Sequence, residues 1–264
     1  MKLRQGLSAV LIRLSGRLKS LAMLIHSMPV SIMRVDDLIS MTNNSYCQSR
    51  NVCAWSNTEA RGLYDYEQEF IKRYDLHKAR ILALGAGGGR EAWGFAEAGL
   101  EVIAIDISEA IIANAKNKLQ ETGNHNINFI RMSVYNLDFP LASFDAASFL
   151  GGSYSHIPSS GKRIEFLKKI RGLLKKEGVF ILSFFSGGKE LPTARFYPLY
   201  KLLAALTLGN REVQKGDHLA GDTQFNHAFL EAGEVAREAE SAGFKVERID
   251  IDCRVAYKYA YLRV

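Results

Sequence analysis

Five small residues and a cation, Gly85, Ala86, Gly87, Gly88, Gly89 and Arg90, directly follow an apolar run ending at Leu84. A turn of this kind lets backbone N–H groups and the start of the following helix approach a ligand closely. The next apolar run ends in a carboxylate, Asp106. A dinucleotide site would need a third glycine at position 90 to complete GxGxxG; Arg90 stands there, and the spacing is GxGxG. Asp106 can accept hydrogen bonds from both hydroxyls of an unphosphorylated ribose. The combination suits a nucleoside that carries no pyrophosphate.

These residues need a frame to hold them. From about residue 80, short apolar runs alternate with helix-period segments, the pattern of a parallel sheet covered by helices. Strands are expected over 80–84, 101–106, 127–131, 145–150 and 179–185, and helices over 91–98, 108–120, 162–176 and 230–242. Residues 244–251 and 255–264 alternate as a strand pair, with Tyr257, Tyr259 and Tyr261 on one face. The fold class is α/β, a doubly wound Rossmann-like sheet. Ligands in such sheets sit beyond the carboxyl ends of the strands at the switch in strand order, where Gly85 and Asp106 fall.

The segments ILALGAGGGRE (81–91), VIAIDISEAIIANAKNK (102–118), NFIRMSVYNLDFPLASFDAASFLGGSYSHI (128–157) and KIRGLLKKEGVFILSFF (169–185) resemble the ordered motifs of the class I S-adenosylmethionine-dependent methyltransferases. The likeness covers about 81–185 and, more loosely, 228–264. It implies seven mostly parallel strands closed by a C-terminal antiparallel hairpin, with S-adenosylmethionine as cofactor. Gly85, Ala86, Gly87 and Gly88 would pass under the methionine and ribose portions, and Asp106 would hold the ribose. Ile107 would border the adenine, Ser133 and the Val134 N–H would face its ring edge, and the carbonyls of Leu150 and Gly151 would face the methionine amino group. Ala83 stands where many members carry an acid, and Ser133 where an aspartate is common.

Methyl transfer from a sulfonium depends mostly on positioning, and a base is needed only for an acceptor that arrives protonated. His156 and Tyr154, just past the fourth strand, are the candidate catalytic residues; His156 is equally readable as structural, because a His-Ile pair occurs widely there in the resembled family. Tyr46 and Trp55 precede the sheet and are candidates for a lid on the substrate side. The long connection 186–228 is expected to form the acceptor pocket. His218, Asp222 and His227 within it could contact substrate, and their spacings match no metal signature.

Charge is unevenly placed. Lys2, Arg4, Arg13, Arg17, Lys19 and Arg34 precede the first acid, and setting these six aside from 34 leaves 28 basic against 28 acidic residues. The body is therefore neutral, and no basic face for nucleic acid is expected on it. Leu7, Leu11, Leu14, Leu18, Leu21, Ile25 and Met28 form one stripe of a helix ending before Pro29. Residues 3–28 are thus read as meeting a membrane surface peripherally or as packing on protein, a dimer partner included.

Three cysteines without CxxC spacing indicate neither a disulfide framework nor a zinc cluster, and a cytoplasmic setting is expected. The division expected is 1–35 basic amphipathic helix, 36–79 helical lid, 80–185 cofactor-binding core, 186–228 acceptor cap and 229–264 C-terminal helix and hairpin. The function expected is methyl transfer to an O or N atom of a small-molecule or lipid-linked acceptor. One alternative is a catalytically silent methyltransferase-like module binding a membrane or partner, favoured by Ala83 and Ser133. Another is an NAD(P)-dependent short-chain oxidoreductase, on the YxxxK of Tyr197 and Lys201, against which Pro198 and the glycine spacing both argue.

Overall fold

Apolar runs that alternate two-sided burial build the centre of the protein. Strands β1 (Arg80–Leu84), β2 (Glu101–Asp106), β3 (Ile127–Arg131), β4 (Phe144–Phe149) and β5 (Leu174–Phe185) run parallel. Strands β6 (Asp217–Ala220) and β7 (Gln224–His227) form a separate antiparallel ladder. Strands β8 (Lys245–Ile251) and β9 (Tyr257–Arg263) complete the main sheet as an antiparallel pair on the β5 edge. The seven-stranded order is β3-β2-β1-β4-β5-β9-β8, so the chain leaves β1 in one direction to β2 and β3 and returns on its other side at β4. The computed structural model describes residues 2–56, 62–122, 126–187, 189–221, 223–251 and 257–264.

Before the sheet come helices α1 (Lys2–Ser27), α2 (Pro29–Ile32), α3 (Val35–Tyr46), α4 (Ser49–Ser56) and α5 (Asp65–Arg73). Within and after it run α6 (Arg90–Glu97), α7 (Glu109–Thr122), α8 (Ser160–Leu173), α9 (Pro192–Arg195), α10 (Tyr197–Thr207) and α11 (Ala232–Ser241). Successive strand residues point to opposite faces. Ile81, Ala83, Val102 and Ala104 pack under Trp93 and Phe95 of α6, Ile112 of α7 and Phe70 of α5, with Tyr259 and Tyr261 on the same face. Leu82, Leu84, Ile103 and Ile105 face the other way, against Phe166 and Ile170 of α8 and Val235 and Ala239 of α11.

The largest boundary difference from the sequence expectation lies between α8 and β5. The helix expected through residue 176 stops at Leu173, and β5 begins five residues earlier than the strand expected from 179. Leu173 and Leu174 are both buried, but Leu174 reaches its site as the ladder partner of Phe144. Continuing the helix would remove Leu174 from that pair. Lys175 instead ties the extended segment to β4 through Asp145 Oδ1 at 2.7 Å.

A third cluster lies outside the sheet. Val30 and Leu38 from the N-terminal helices pack with Tyr200, Ala204, Val213, Leu219 and Phe225 of the long connection, so the two segments share one small core. Asn210 Nδ2 donates to Val30 O at 3.0 Å, and Phe225 N donates to Thr42 Oγ1 at 2.9 Å. The segment 36–79 is consequently divided: α3 joins this cap, α4 reaches α7 through Asn114 Nδ2 and Ser56 Oγ, and α5 lies on the sheet.

Candidate active site

Leu84 and Ile105 are register partners, so the glycine turn and the carboxylate that ends β2 leave the sheet side by side. Ala86 N donates to Ile105 O at 2.9 Å, Gly87 N to Asp106 Oδ2 at 3.0 Å, and Ser108 N to Asp106 Oδ1 at 2.9 Å. Gly85 and Gly87 take φ of +60° and +53°, where L side chains are strained, and a Cβ on Gly85 would come within 3.4 Å of the Phe149 ring. Burial pushes the Asp106 acid upward from its ordinary range, while the N–H groups of Ser108, Gly87 and Ile107 pull in the opposite direction.

A cavity opens at this switch point, where doubly wound sheets place their ligands. It gathers Gly85, Asp106, Ile107, Ser133 and Val134 on one side and Tyr46 and His156 on another. Ala86, Gly87, Gly88, Leu150 and Gly151 sit in the adjoining turns without lining it; Leu150 is buried, and Gly151 has φ +68°. Thr42 and Asn43, one helical turn before Tyr46, and Tyr135 and Ser153 also line it. Sequence reasoning missed these four. The helical spacing of Thr42 and Asn43 from Tyr46 was the available signal for the first two, once Tyr46 was suspected.

His156 stands at the cavity wall and is held from the cap. Its Nδ1 lies 2.8 Å from Phe225 O, an acceptor, so Nδ1 carries the proton and Nε2 carries the lone pair. Its ring meets Tyr46 and Phe185 edge-on at 5.9 and 6.0 Å. Burial pushes the His156 imidazolium downward from 6.5, with the Phe225 carbonyl opposing, so the ring is neutral at neutral pH. Tyr46 is pushed upward by burial and by Asp106, and stays a phenol.

Three candidates are placed elsewhere. Tyr154 is fully buried and donates to Glu238 Oε2 at 2.7 Å, which takes its hydroxyl out of the cavity. His218 turns into its own hairpin, Nδ1 on Gly216 O at 2.9 Å and Nε2 against Asn226 at 3.2 Å. His227 is fully buried with Nδ1 2.6 Å from Asp217 Oδ1. Burial and Arg163 press its imidazolium down, and the Asp217 hydrogen bond and the Glu234 carboxylate, 3.8 Å from Nε2, outweigh them, for a net upward shift. The His218 and His227 contacts join β6 to β7, and the Tyr154 contact joins the turn after β4 to α11. Trp55 acts through its backbone: its carbonyl accepts from Gly88 N at 2.8 Å, sealing the glycine turn from outside, while half of its surface stays exposed.

Arg90, the residue in place of the third glycine, clamps α5 to the start of α6. Its Nη1 and Nη2 meet the two Glu67 oxygens at 2.8 and 2.5 Å, and the guanidinium lies 4.3 Å from the Tyr64 ring centre. Glu91 beside it, 3.8 Å from Arg90, is pushed by burial from 4.5 up to about 7, with Arg90 lowering and Glu67 raising it. Between about pH 4.5 and 7 the unfolded chain releases a proton that the folded chain keeps, so stability falls across that window. Glu91→Gln is expected to raise stability at about pH 8 by on the order of 1–3 kcal/mol and to leave it unchanged at about pH 4. Urea unfolding at the two pH values reads the difference, and equal effects at both would refute the assignment.

The open glycine corner, the terminal carboxylate and the apolar Ile107 fit a nucleoside bearing no phosphates. Among the described residues no group of His, Cys, Asp and Glu could hold a metal; Asp222 and Cys253 lie outside them. Pro198 is accommodated in the first turn of α10, and the YxxxK pair is engaged away from the cavity, Tyr197 Oη on Val213 O at 3.1 Å and Lys201 Nζ on Arg211 O at 2.7 Å.

Residues 81–178 match the profile of the methyltransferase domain family. A Bacillus subtilis (strain 168) protein described as a methyltransferase, YqeM, is 29% identical over 126 residues, 48% of this chain and 50% of that protein. The chain spans about half the length of the curated relatives it matches. The crystal structure of a Methanosarcina mazei protein, described as a SAM-dependent methyltransferase, aligns with a TM-score of 0.60 at 21% identity over 76% of this chain and 98% of that one. The Burkholderia thailandensis 1,6-didemethyltoxoflavin-N1-methyltransferase, solved with 1,6-didemethyltoxoflavin and S-adenosylhomocysteine, aligns with a TM-score of 0.57 at 21% identity, over 87% of this chain and 86% of that one. At these identities the two structures share the fold.

Proposed function

We propose that this chain, whose residues 81–178 form a class I S-adenosylmethionine-dependent methyltransferase domain, transfers the methyl group of S-adenosylmethionine to an O or N atom of a small-molecule or lipid-linked acceptor. The observation that carries this reading is the single cavity joining Gly85, Asp106, Ile107, Ser133 and Val134 to Tyr46 and His156. Asp106 takes the ribose hydroxyls, Gly85 leaves room for the chain beyond the ribose, and Ser133 and Val134 border the adenine. Bound there, S-adenosylmethionine supplies an activated methyl on sulfur whose leaving group is a neutral thioether.

The protein's share is orientation and one proton. Thr42, Asn43 and Tyr46 line the cavity from α3, and the bond from Phe225 N to Thr42 ties that helix to β7. His156, neutral and with Nε2 unprotonated, takes the proton of an acceptor that arrives as a hydroxyl or ammonium; Phe225 fixes its tautomer. The experiment is detection of S-adenosylhomocysteine after incubation with S-adenosylmethionine and a panel of hydroxyl and amine acceptors. Cofactor binding without turnover on any acceptor would favour the silent module, and preference for NAD would overturn the reading.

His156→Phe is expected to lower kcat by about 10²–10⁴ with protonated acceptors, while calorimetric affinity for the cofactor changes little. Protonation of His156 at low pH should abolish the wild-type rate along a limb below about pH 6.5, since burial lowers that titration. The variant should lack the limb. A variant with unchanged kcat would make His156 a structural residue only.

A further inference from the structure

Helix α1 carries an apolar stripe that the rest of the protein does not cover. Leu11, Leu14, Leu18, Leu21 and Ile25 each expose between 51% and 59% of their surface. The helix is held at its foot: Ser27 is buried, Leu24 packs against the cap core, and Tyr200 Oη donates to Leu24 O at 3.0 Å. At 100° per residue, Ser27 lies on the side opposite the stripe and Leu24 about 90° from the stripe's centre, so the docked foot leaves the stripe facing outward. Next to that foot, α10 buries Tyr200 and Ala204 and turns Leu199, Leu202 and Leu206 to the exterior. Two neighbouring helices thus present apolar faces that a protein in water alone would hide.

The charges decide what covers them. Arg13 and Arg17 flank the stripe on one side and Lys19 lies beyond its other side, and the chain has no acid before Asp36. A second copy would bring like charges together with nothing to neutralise them, whereas an anionic lipid surface supplies both an apolar layer and the opposite charge. No helix among the described residues is long and apolar enough to cross a membrane. We propose that α1, with the outer face of α10 beside it, lies in the plane of an anionic membrane surface, its leucine stripe among the acyl chains and its cations at the headgroups. This is independent of the reaction carried out by the sheet.

The test is flotation of the full chain with vesicles of phosphatidylcholine alone and with one third phosphatidylserine, alongside light scattering of the protein without lipid. The wild type should float with the anionic vesicles, more weakly as salt is raised. Leu14→Glu with Leu18→Glu should reduce the bound fraction at least about tenfold, as should Arg13→Glu with Arg17→Glu. Both pairs are exposed, and unchanged circular dichroism would show that the fold survives. Failure to float with anionic vesicles, or equal flotation of the leucine variant, overturns the proposal. So does a lipid-free dimer that the leucine variant dissociates when no vesicle binding accompanies it.

Discussion

Replacing Asp106 with alanine is expected to weaken S-adenosylmethionine binding by at least about 100-fold, the loss of two charge-assisted hydrogen bonds to one ribose. In the free protein the carboxylate also accepts from Gly87 and Ser108 and so fixes the glycine corner. Alanine removes the ribose grip and loosens the corner together. Asparagine keeps one oxygen for the corner but loses the charge, and should fall between the two. Calorimetry reads all three proteins. An affinity for Asp106→Ala within about threefold of wild type would move the cofactor site elsewhere.

The largest effect on stability is expected at Arg163, which lies on α8 and is fully buried. Its Nε and Nη2 reach Glu238 at 2.9 and 2.7 Å, Nη1 donates to Ile157 O at 3.2 Å, and Nη2 also reaches Gln214 Oε1 at 2.9 Å. The guanidinium lies 5.0 Å from the Phe229 ring centre, and Tyr154 donates to the same carboxylate. Arg163→Met leaves Glu238 buried and uncompensated, at a cost of about 3–5 kcal/mol. Adding Glu238→Leu removes the orphaned charge and should recover more than half of that loss, leaving the Tyr154 hydroxyl as the residual penalty. Equilibrium denaturant unfolding of the single and double variants tests this. A single-variant cost under about 1 kcal/mol would mean that water enters and solvates the carboxylate.

The sheet was legible because its strands are short, apolar and separated by helix-period segments, so length and periodicity suffice. That Gly85, Asp106, Ile107, Ser133 and Val134 line one cavity was legible for a related reason: they occupy strand ends, and strand ends in a doubly wound sheet share one edge. The placement of the remaining candidates was not. Tyr154, His218 and His227 have residue types that do chemistry, but type does not tell which way a side chain points, and each here points into a polar contact within the protein. Arg163, in the stretch GKRIEFLKK, reads as one cation of a solvated helix face until the partner 75 positions away is placed beside it. Thr42 and Asn43 became cavity-lining residues only through a strand 183 positions later. The misplaced end of α8 has a local cause, since two adjacent leucines both require burial and only the ladder with Phe144 shows that the second is extended.

The shared core of Val30, Leu38, Tyr200 and Phe225 joins a segment that precedes β1 to one that lies between β5 and β8 in the chain, with the Asn210 to Val30 bond spanning 180 positions. A nascent polypeptide growing on the ribosome therefore exposes the first half of this core while strands β1 to β5 are still being made. Ordering the early helices against their partners awaits synthesis of residues 192–227, and so distant a closure is slow to nucleate. Through that interval the unclothed leucines and valine of the leading segment are the part of the newborn chain most open to aggregation or to capture by a chaperone.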